Sequence, residues 1–422
     1  MRRLLVLAVL SAALWGAPGA FAAGWCGSGE SAADRPDATT GAQIHAIWAI
    51  PADSPDTFAT GAGKLADDLT SLSTWWVGQD PTRTPRIDNA TFPTGSCADL
   101  SFVKLAEPAS AFTGANNAFS SIVLELETGG FANLFKKYIV YYDGPTVETD
   151  VCGTGAGDFS SGPSFAIVWL QGCPDVPSDE IEAHELLHAM GALPAGAPNA
   201  CTAANNPVGA FADAGHPCDS STDVLYPEAT PGVQLSQLVL DYNHDDYYGH
   251  SGAWNDLQDS DWLHVLAAPI VPLTVKIAGA GFVTSVMPGV VCSASCTTQW
   301  DGGTSTALLA QAAHGKRFVG WAGSCTGRAD CDVRLGSPIS VTATFGPARI
   351  PVALDRIGKG SVTCTPRCGK TFAAGSRLTL HAVAAKGWKF ASWTGDCAKV
   401  HVATCRPKTD FHISARAVFR KR

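Results

Sequence analysis

The stretch "DEIEAHELLHAMGALP", residues 179–194, holds two histidines four positions apart, with a glutamate directly after the first. On a helix, residues i and i+4 share a face, so His184 and His188 can direct ring nitrogens toward one ion. Zinc bound by three protein ligands keeps a fourth position for water and lowers the pKa of that water to about 7. Glu185 is the candidate general base that takes up the proton. The pattern predicts a zinc-dependent hydrolytic site.

The neighbouring sequence predicts a buried helix in an α/β domain. Asp179 and Glu182 have the spacing of a capping box at the start of this helix. The stretches 136–145 and 164–173 are rich in β-branched and aromatic residues and read as strands. Residues 60–79 place leucines and tryptophans at helical spacing, which favours a helix packed on a sheet. Alternation of strands and helices is typical of α/β architecture.

The motif "HELLHAMGALP" resembles the metzincin branch of zinc metallopeptidases, whose pattern is HExxHxxGxxH followed by a methionine-containing turn. Both histidines, the glutamate and Gly191 are kept, but Pro194 stands at the third ligand position and has no ligand atom. Downstream, "GHPCDSSTDVLYPEA" resembles the approach to that turn, with Leu225 in place of the methionine. The resemblance implies an α/β zincin-like catalytic domain, a zinc cofactor and a protein or peptide substrate. It implies that Tyr226 donates a hydrogen bond to the developing oxyanion, with a packing role as the alternative.

A third zinc ligand must come from elsewhere in the chain. A loop over residues 195–222, closed by a Cys201–Cys218 disulfide, would bring His216 back to the end of the helix. Carboxylates also bind zinc, whereas a neutral amide is a poor donor. We expect His216, with three rivals: Asp219, Asp223 and, as the weakest, Asn199.

The polar stretch 240–263 is a candidate for a second metal. Three carboxylates there offer the oxygen ligands that calcium prefers, although the spacing is not that of an EF-hand: Asp241, Asp245 and Asp246. A substrate-facing polar loop is the alternative.

The N-terminus and the cysteines indicate export. Residues 1–23 have two arginines, an apolar run and a small-residue cleavage site, which predicts a signal peptide cut near Ala22 or Ala23. All 14 cysteines follow this segment, and disulfides persist in oxidising compartments. No later stretch is long and apolar enough to predict a transmembrane segment. We therefore expect a secreted protein with disulfide bonds.

The C-terminal region contains an internal repeat. "FVGWAGSC" (318–325) and "FASWTGDC" (390–397) are 72 residues apart, and cysteines and glycines recur at the same offset. Alternating apolar residues between glycine-rich turns predict small β-rich modules. The F-x-x-W-x-G-x-C stretch resembles the divergent B-repeat modules of internalin type, which implies a spacing or attachment role. We predict a zincin-like domain at 24–266 and repeats at 272–346 and 350–420. The cysteines of the repeats predict four local disulfides: Cys292–Cys296, Cys325–Cys331, Cys364–Cys368 and Cys397–Cys405.

Charge divides the chain at the same place. Residues 1–271 carry 9 Lys+Arg and 32 Asp+Glu, whereas residues 272–422 carry 20 and 6, so the net charges are −23 and +14. A basic tail is attracted to an anionic cell-surface polymer, and the alternative is a solvated face that keeps the protein soluble. We expect no specific nucleic-acid partner.

These features predict an exported zinc metallopeptidase with a repeat tail for surface attachment or spacing. One alternative is a catalytically degenerate zincin that acts as a surface-binding, adhesive protein, because the third ligand and the methionine turn both depart from the family pattern. A zinc hydrolase of non-peptide amides or sugars is a further alternative.

Overall fold

The structure, a computed structural model, describes residues 25–27, 29–160, 162–192, 196–202, 204–205, 215–409 and 412–422. The chain forms two compact units, the first ending at Ala268 and the second beginning at Pro269. The predicted signal peptide, residues 1–23, lies outside the described residues. No helix in the described ranges is long and apolar enough to cross a membrane.

The described residues of the first unit form three α-helices and nine strands. In chain order these elements are β1 (Gln43–Ile50), α1 (Phe58–Gln79), β2 (Arg83–Pro85), β3 (Asn89–Phe92), β4 (Gly95–Ala98), β5 (Leu100–Lys104), α2 (Ala115–Thr128), β6 (Lys136–Tyr142), β7 (Gly153–Ala156), β8 (Ser164–Trp169), α3 (Ser178–Ala189) and β9 (Leu263–Val265).

A five-stranded sheet with the order β5-β1-β6-β8-β7 forms the centre of this unit. The first four strands run parallel, and the edge strand β7 is antiparallel to β8. Every residue of β1, β6 and β8 is buried, as expected for parallel strands covered on both faces. The strands predicted in 136–145 and 164–173 are thereby confirmed as β6 and β8.

Helices cover both faces of the sheet. Residues at alternate positions of β1, such as Ile44 and Trp48, pack in one cluster with α1 and α3, whereas Ile47 and Ala49 pack with α2 on the other face. This division follows from the two-residue period of a strand. The predicted helix at 60–79 is α1, and its tryptophans belong to the core. The unit is a three-layer α/β structure with α3 lying across β8.

The described residues of the second unit form strands joined by turns: β10 (Ile270–Ala278), β11 (Gly281–Ser285), β12 (Val291–Cys292), β13 (Cys296–Asp301), β14 (Ser305–Ala312), β15 (Lys316–Gly323), β16 (Cys331–Arg334), β17 (Ile339–Pro347), β18 (Arg349–Ile357), β19 (Gly360–Thr365), β20 (Thr371–Ala373), β21 (Thr379–Ala384), β22 (Trp388–Gly395), β23 (Thr404–Cys405) and β24 (Ile413–Lys421). This confirms the β-rich repeat modules.

The two repeats have the same topology. The sheet order β13-β10-β17-β15 of the first recurs as β20-β18-β24-β22 in the second, and β11-β14-β16 recurs as β19-β21-β23. The 72-residue offset holds from Cys292 to Cys325. Gly281 and Gly360, which begin β11 and β19, are 79 residues apart, and Cys331 and Cys405 are 74 residues apart. The additional residues in the first repeat form a turn and the short strand β12.

Seven disulfides form, the five predicted from the sequence and two more. The four local pairs of the repeats form as expected, and Cys152–Cys173 and Cys201–Cys218 form in the first unit. Cys26, left unassigned by the sequence, pairs with Cys97. Such complete pairing indicates an oxidising, extracellular compartment.

Candidate metal centre

Helix α3 carries His184, Glu185 and His188. It begins at Ser178, after the extended residue Pro177, and ends at Ala189. Gly191 follows with φ of +83°, the left-handed conformation that commonly ends a helix. No side chain caps the N-terminus, so the predicted capping box is wrong. Glu182 is fully buried and accepts a hydrogen bond from Tyr141 at 2.5 Å, so its carboxylate is held by the sheet.

Three histidines converge on one point. The Nε2 atoms of His184 and His188 are 3.2 Å apart, and His216 Nε2 lies 3.2 Å from the first and 3.1 Å from the second. Nitrogens bound to one tetrahedral zinc at ~2.0–2.1 Å are about 3.3–3.4 Å apart. The triangle of nitrogens therefore has the size that a single zinc ion requires.

The predicted third ligand reaches this position through a stapled loop. Cys201 and Cys218 form a disulfide, and the backbone N–H of Cys201 donates to the His216 carbonyl at 2.7 Å. The N–H of Cys218 donates to the Asn199 carbonyl at 2.9 Å. These two bonds place His216 beside α3. Pro194, at the position where the family motif has its third histidine, lies outside the described residues.

The other ring nitrogen of His184 sets its tautomer. Nδ1 lies 2.7 Å from the carbonyl oxygen of Val224, which can only accept a hydrogen bond, so Nδ1 carries the proton. Nε2 is then left with a free lone pair, as a metal ligand needs. Val224 belongs to a turn closed by a bond from Tyr226 N–H to the Asp223 carbonyl at 3.0 Å. This turn lies directly against the first histidine.

Burial keeps the two histidines of α3 uncharged. Burial, together with the charge of His216, lowers the pKa of His184 to about 3, and the hydrogen bond to the Val224 carbonyl opposes this shift. Burial and the two neighbouring histidines likewise hold the pKa of His188 well below its ordinary value. Neutral imidazoles bind metal without first losing a proton.

Glu185 lies between α3 and the edge strand β7. Its side chain is 7% exposed, and burial raises its pKa to about 8, opposed by a hydrogen bond from the Gly155 backbone. A positive charge among the three histidines would favour the ionised carboxylate. A buried carboxyl beside a cluster of metal-ligating nitrogens suits proton transfer.

Strand β7 contributes a close backbone approach that sequence reasoning missed. A Cβ at Gly153 would lie 2.4 Å from Glu185 Cγ, and one at Gly155 would lie 2.4 Å from the Glu185 carbonyl oxygen. A Cβ at Gly157 would lie 1.9 Å from the Ala189 carbonyl oxygen. The signal was present in "CGTGAGD", where alternate glycines give one face of a strand no side chains.

The rival ligands lie outside the histidine cluster. Asp223 is 2% exposed, and its carboxylate accepts bonds from Leu225 N–H at 2.7 Å, Tyr242 N–H at 2.7 Å and the Tyr247 hydroxyl at 2.8 Å. Asp219 groups with other carboxylates. The Asn199 amide donates to Asp246 at 3.1 Å. Of the four candidates, the structure brings only His216 to the α3 histidines.

Two of the three predicted calcium ligands group together. Oxygens of Asp219, Asp245 and Asp246 lie within 4.8 Å of one another. Asp241 is absent from this group, because its Oδ2 accepts backbone N–H bonds from Tyr247 at 2.7 Å and Tyr248 at 2.5 Å. Calcium in this region stays a prediction, with Asp219 in place of Asp241.

In a further cluster of ionisable groups, the ammonium group of Lys136 neutralises the carboxylates. Lys136 Nζ lies 2.7 Å from Asp34, 2.6 Å from Asp37 and 2.6 Å from Asp88, and His45 Nδ1 lies 2.8 Å from Asp88. Burial lowers the pKa of Lys136, but these carboxylates outweigh it and hold that pKa above its ordinary value. The cluster therefore fastens the N-terminal segment to the sheet.

Removing the Cys201–Cys218 bridge by a double Cys→Ser change is expected to weaken zinc binding about 10–100-fold, the usual effect of losing a group that orients a ligand. The reason is that His216 is carried by the loop which this bridge closes. Competition with a fluorescent zinc chelator measures the affinity. Replacing Cys397 and Cys405 in the second repeat is the control. Equal affinity in all three proteins would show that the bridge does not position the histidine.

The comparisons with known proteins identify the tail. Residues 282–349 and 350–419 each match the divergent InlB B-repeat domain family. The second unit is thus a tandem pair of such domains, in agreement with the resemblance carried by the F-x-x-W-x-G-x-C stretch. The matched residues do not include 184–188. No curated protein matches the chain.

Two solved structures show a distant likeness. The Bacillus anthracis TIE protein is 9% identical, with 36% of this chain and 34% of that protein covered, at a TM-score of 0.23. The major pilin protein (T-13) from Streptococcus pyogenes is 10% identical, with 37% of this chain and 98% of the pilin covered, at a TM-score of 0.16. At such TM-scores neither structure supports an argument about function.

Proposed function

We propose that the protein is an exported zinc metallopeptidase whose repeat tail attaches it to, or spaces it from, a surface. The observation that carries the proposal is the convergence of three histidine Nε2 atoms within 3.2 Å, with two of them on one helix. Three imidazoles with an adjacent buried glutamate are a donor set that fits catalytic zinc, which needs an open fourth position. The three-layer α/β unit and the turn beneath His184 are also what the metzincin resemblance implies.

Each residue of the centre has a separate role in the proposed reaction. Zinc held by the three histidines would supply a water of lowered pKa and polarise the substrate carbonyl. Glu185 accepts the proton of the attacking water and returns it to the leaving amine. Tyr226, whose N–H closes the turn at His184, is the proposed donor to the oxyanion. Val224 keeps His184 in the ligating tautomer.

The edge strand β7 is the proposed substrate-binding element. Of the described strands, it pairs with β8 alone, so its other backbone edge is available to an extended peptide. The Gly155 contact places this strand against Glu185. An added strand would therefore bring a peptide bond beside the general base. This arrangement favours a peptide over a sugar as substrate.

A second candidate is a surface-binding protein whose metal centre no longer performs catalysis. The comparisons favour this candidate more than the first, because the family match covers the repeat tail and no curated protein matches the chain. The intact Glu185 favours the peptidase, since a scaffold needs no base beside the metal. Both candidates keep the tail as the attachment element.

The zinc content of dialysed protein tests the centre that both candidates share. We expect one zinc per chain in the wild type and a loss of affinity of more than about a hundredfold in His216→Ala, because losing a ligand costs more than losing an orienting group. Asp219→Asn is the matched control and should keep its zinc. If Asp219→Asn loses zinc and His216→Ala does not, the ligand assignment is wrong.

A further inference from the structure

The two repeats differ sharply in charge although they share a fold. Residues 272–348 contain 5 Lys+Arg and 3 Asp+Glu, whereas residues 349–422 contain 15 and 3, so the net charges are +2 and +12. All 15 cations of the second repeat are exposed. Because the first repeat forms the same sheets with a third of the cations, the fold does not require them. Most of the tail's net positive charge therefore lies on the second repeat.

Backbone pairing gathers six of these cations at one end of the module. The N–H of Ala385 donates to the Lys359 carbonyl, which joins the turn after β18 to the turn before β22. Strands β22 and β24 pair antiparallel, with Lys389 opposite Arg420 and Trp388 opposite Lys421. We call this set the basic end: Arg356, Lys359, Lys386, Lys389, Arg420 and Lys421.

The basic end has no compensating acid among the described residues. Asp355 is paired with Arg416 at 2.9 Å on the sheet surface. Asp396 lies at the opposite strand ends, where its carboxylate accepts from Ser414 N–H at 2.7 Å. No ion pair involves the six cations within the part of the chain that the structure describes. Their charges therefore face solvent together.

The cations of the basic end lower the stability of the second repeat when no anion is bound. Lys389 and Arg420 are directly opposite each other on antiparallel strands, and like charges in that position repel. Local features that disfavour the fold are expected at functional sites. An anion bound at this end would remove the repulsion.

The first repeat has the same backbone arrangement at the positions equivalent to the basic end. Its equivalent bonds run from Ala313 N–H to the Ala280 carbonyl and along β15 and β17, where Arg317 is opposite Gly346. The residues that correspond to the basic end are mostly uncharged: Ile277, Ala280, His314, Arg317, Gly346 and Pro347. The same backbone arrangement thus exists twice, but only the second repeat has a cation at all six of these positions.

We propose that the basic end binds a linear, phosphate-bearing polymer of the cell envelope, which specifies the attachment role proposed for the tail. Six exposed cations, two of them on turns and four at the ends of three strands, suit a long polyanion that releases counterions when it binds. Membrane insertion would need exposed apolar anchors, and this end offers only two half-exposed aliphatic residues among those described, Ile357 and Val383. Base stacking would need an exposed aromatic, but Trp388 and Phe390 are partly buried in the module.

Binding of the full chain to long-chain inorganic polyphosphate tests the proposal. We expect binding that weakens steeply with added salt. Changing Lys359, Lys386 and Lys421 to Gln should lower the affinity for polyphosphate about a hundredfold, because each cation removed lowers the affinity about fivefold. The control changes Lys370, Lys399 and Lys408, which are exposed elsewhere on the same repeat, to Gln. This control removes the same charge and should change affinity less than about threefold.

Equal losses in the two triple variants, or no binding by the wild type, would overturn the proposal. So would a tenfold preference for phosphatidylglycerol vesicles or for a DNA duplex over polyphosphate. Zinc content and hydrolysis are measured on the same samples. Loss of polymer binding with both unchanged separates this proposal from the proposed enzyme, which depends on residues of the first unit.

Discussion

Glu185→Gln is expected to lower the rate of peptide hydrolysis about 10²–10⁴-fold and to leave one zinc bound per chain. Glutamine keeps the volume of the buried side chain but takes no proton from water. The three histidine nitrogens that define the metal position belong to other residues, so the affinity for zinc should not change. Initial rates on a generic protein substrate, with the zinc content of each sample, measure both quantities.

A matched control separates charge loss from the loss of the base. Glu127→Gln removes a carboxylate from the exposed face of α2, which packs on the opposite side of the sheet from α3. This variant should retain wild-type activity. If Glu185→Gln hydrolyses substrate as fast as Glu127→Gln, then Glu185 is not the general base and the proposed mechanism is wrong.

Gly155→Ala is expected to destabilise the first unit and remove activity together. The new Cβ would lie 2.4 Å from the Glu185 carbonyl oxygen and 2.8 Å from His188 Cβ, so β7 must move away from α3. Overpacking of this kind costs about 3 kcal/mol in the free energy of unfolding. For a domain of this size the loss corresponds to roughly 6–12 °C in Tm. A displacement of about 1 Å at the site lowers activity about a hundredfold.

The chain offers a glycine in open space as the control. A Cβ at Gly63, within α1, meets no atom within 4 Å. Gly63→Ala should stabilise the protein by up to about 1 kcal/mol, because alanine favours a helix. Calorimetry and initial rates measure both variants. A Gly155→Ala protein with unchanged Tm and activity would show that β7 is not held against the helix.

The parts of the site that sequence reasoning predicted are those set by local periodicity. His184 and His188 share a helix face because they are four residues apart, and that relation survives any tertiary arrangement. The local disulfides were predictable for a similar reason, since partners 4–8 residues apart in the repeats have few alternatives.

The third ligand needed tertiary information. His216 is 28 residues beyond His188 and reaches it through a disulfide and two backbone bonds. Sequence reasoning favoured His216 but left Asp219 and Asp223 open, because all three lie in or beside the same loop. The burial of Asp223 against backbone N–H groups, which excludes it from the cluster, depends on residues near Tyr242.

Strand β7 escaped prediction for a physical reason. "GTGA" has neither the β-branched residues nor the apolar alternation by which strands are recognised. The need for glycine in β7 follows only from the close approach of α3, which leaves no room for a side chain. The uneven charge of the tail was visible in the sequence, but its concentration at one end of the second repeat required the strand pairing.

The most direct test of the account is hydrolysis of a generic protein substrate by the purified, oxidised protein before chelation, after chelation and after zinc is restored. We predict activity in the first sample, loss in the second and recovery in the third, because we propose that His184, His188 and His216 hold a metal that the chemistry requires. A folded protein that binds one zinc and cleaves nothing would contradict the peptidase and leave the surface-binding candidate as the function of the chain.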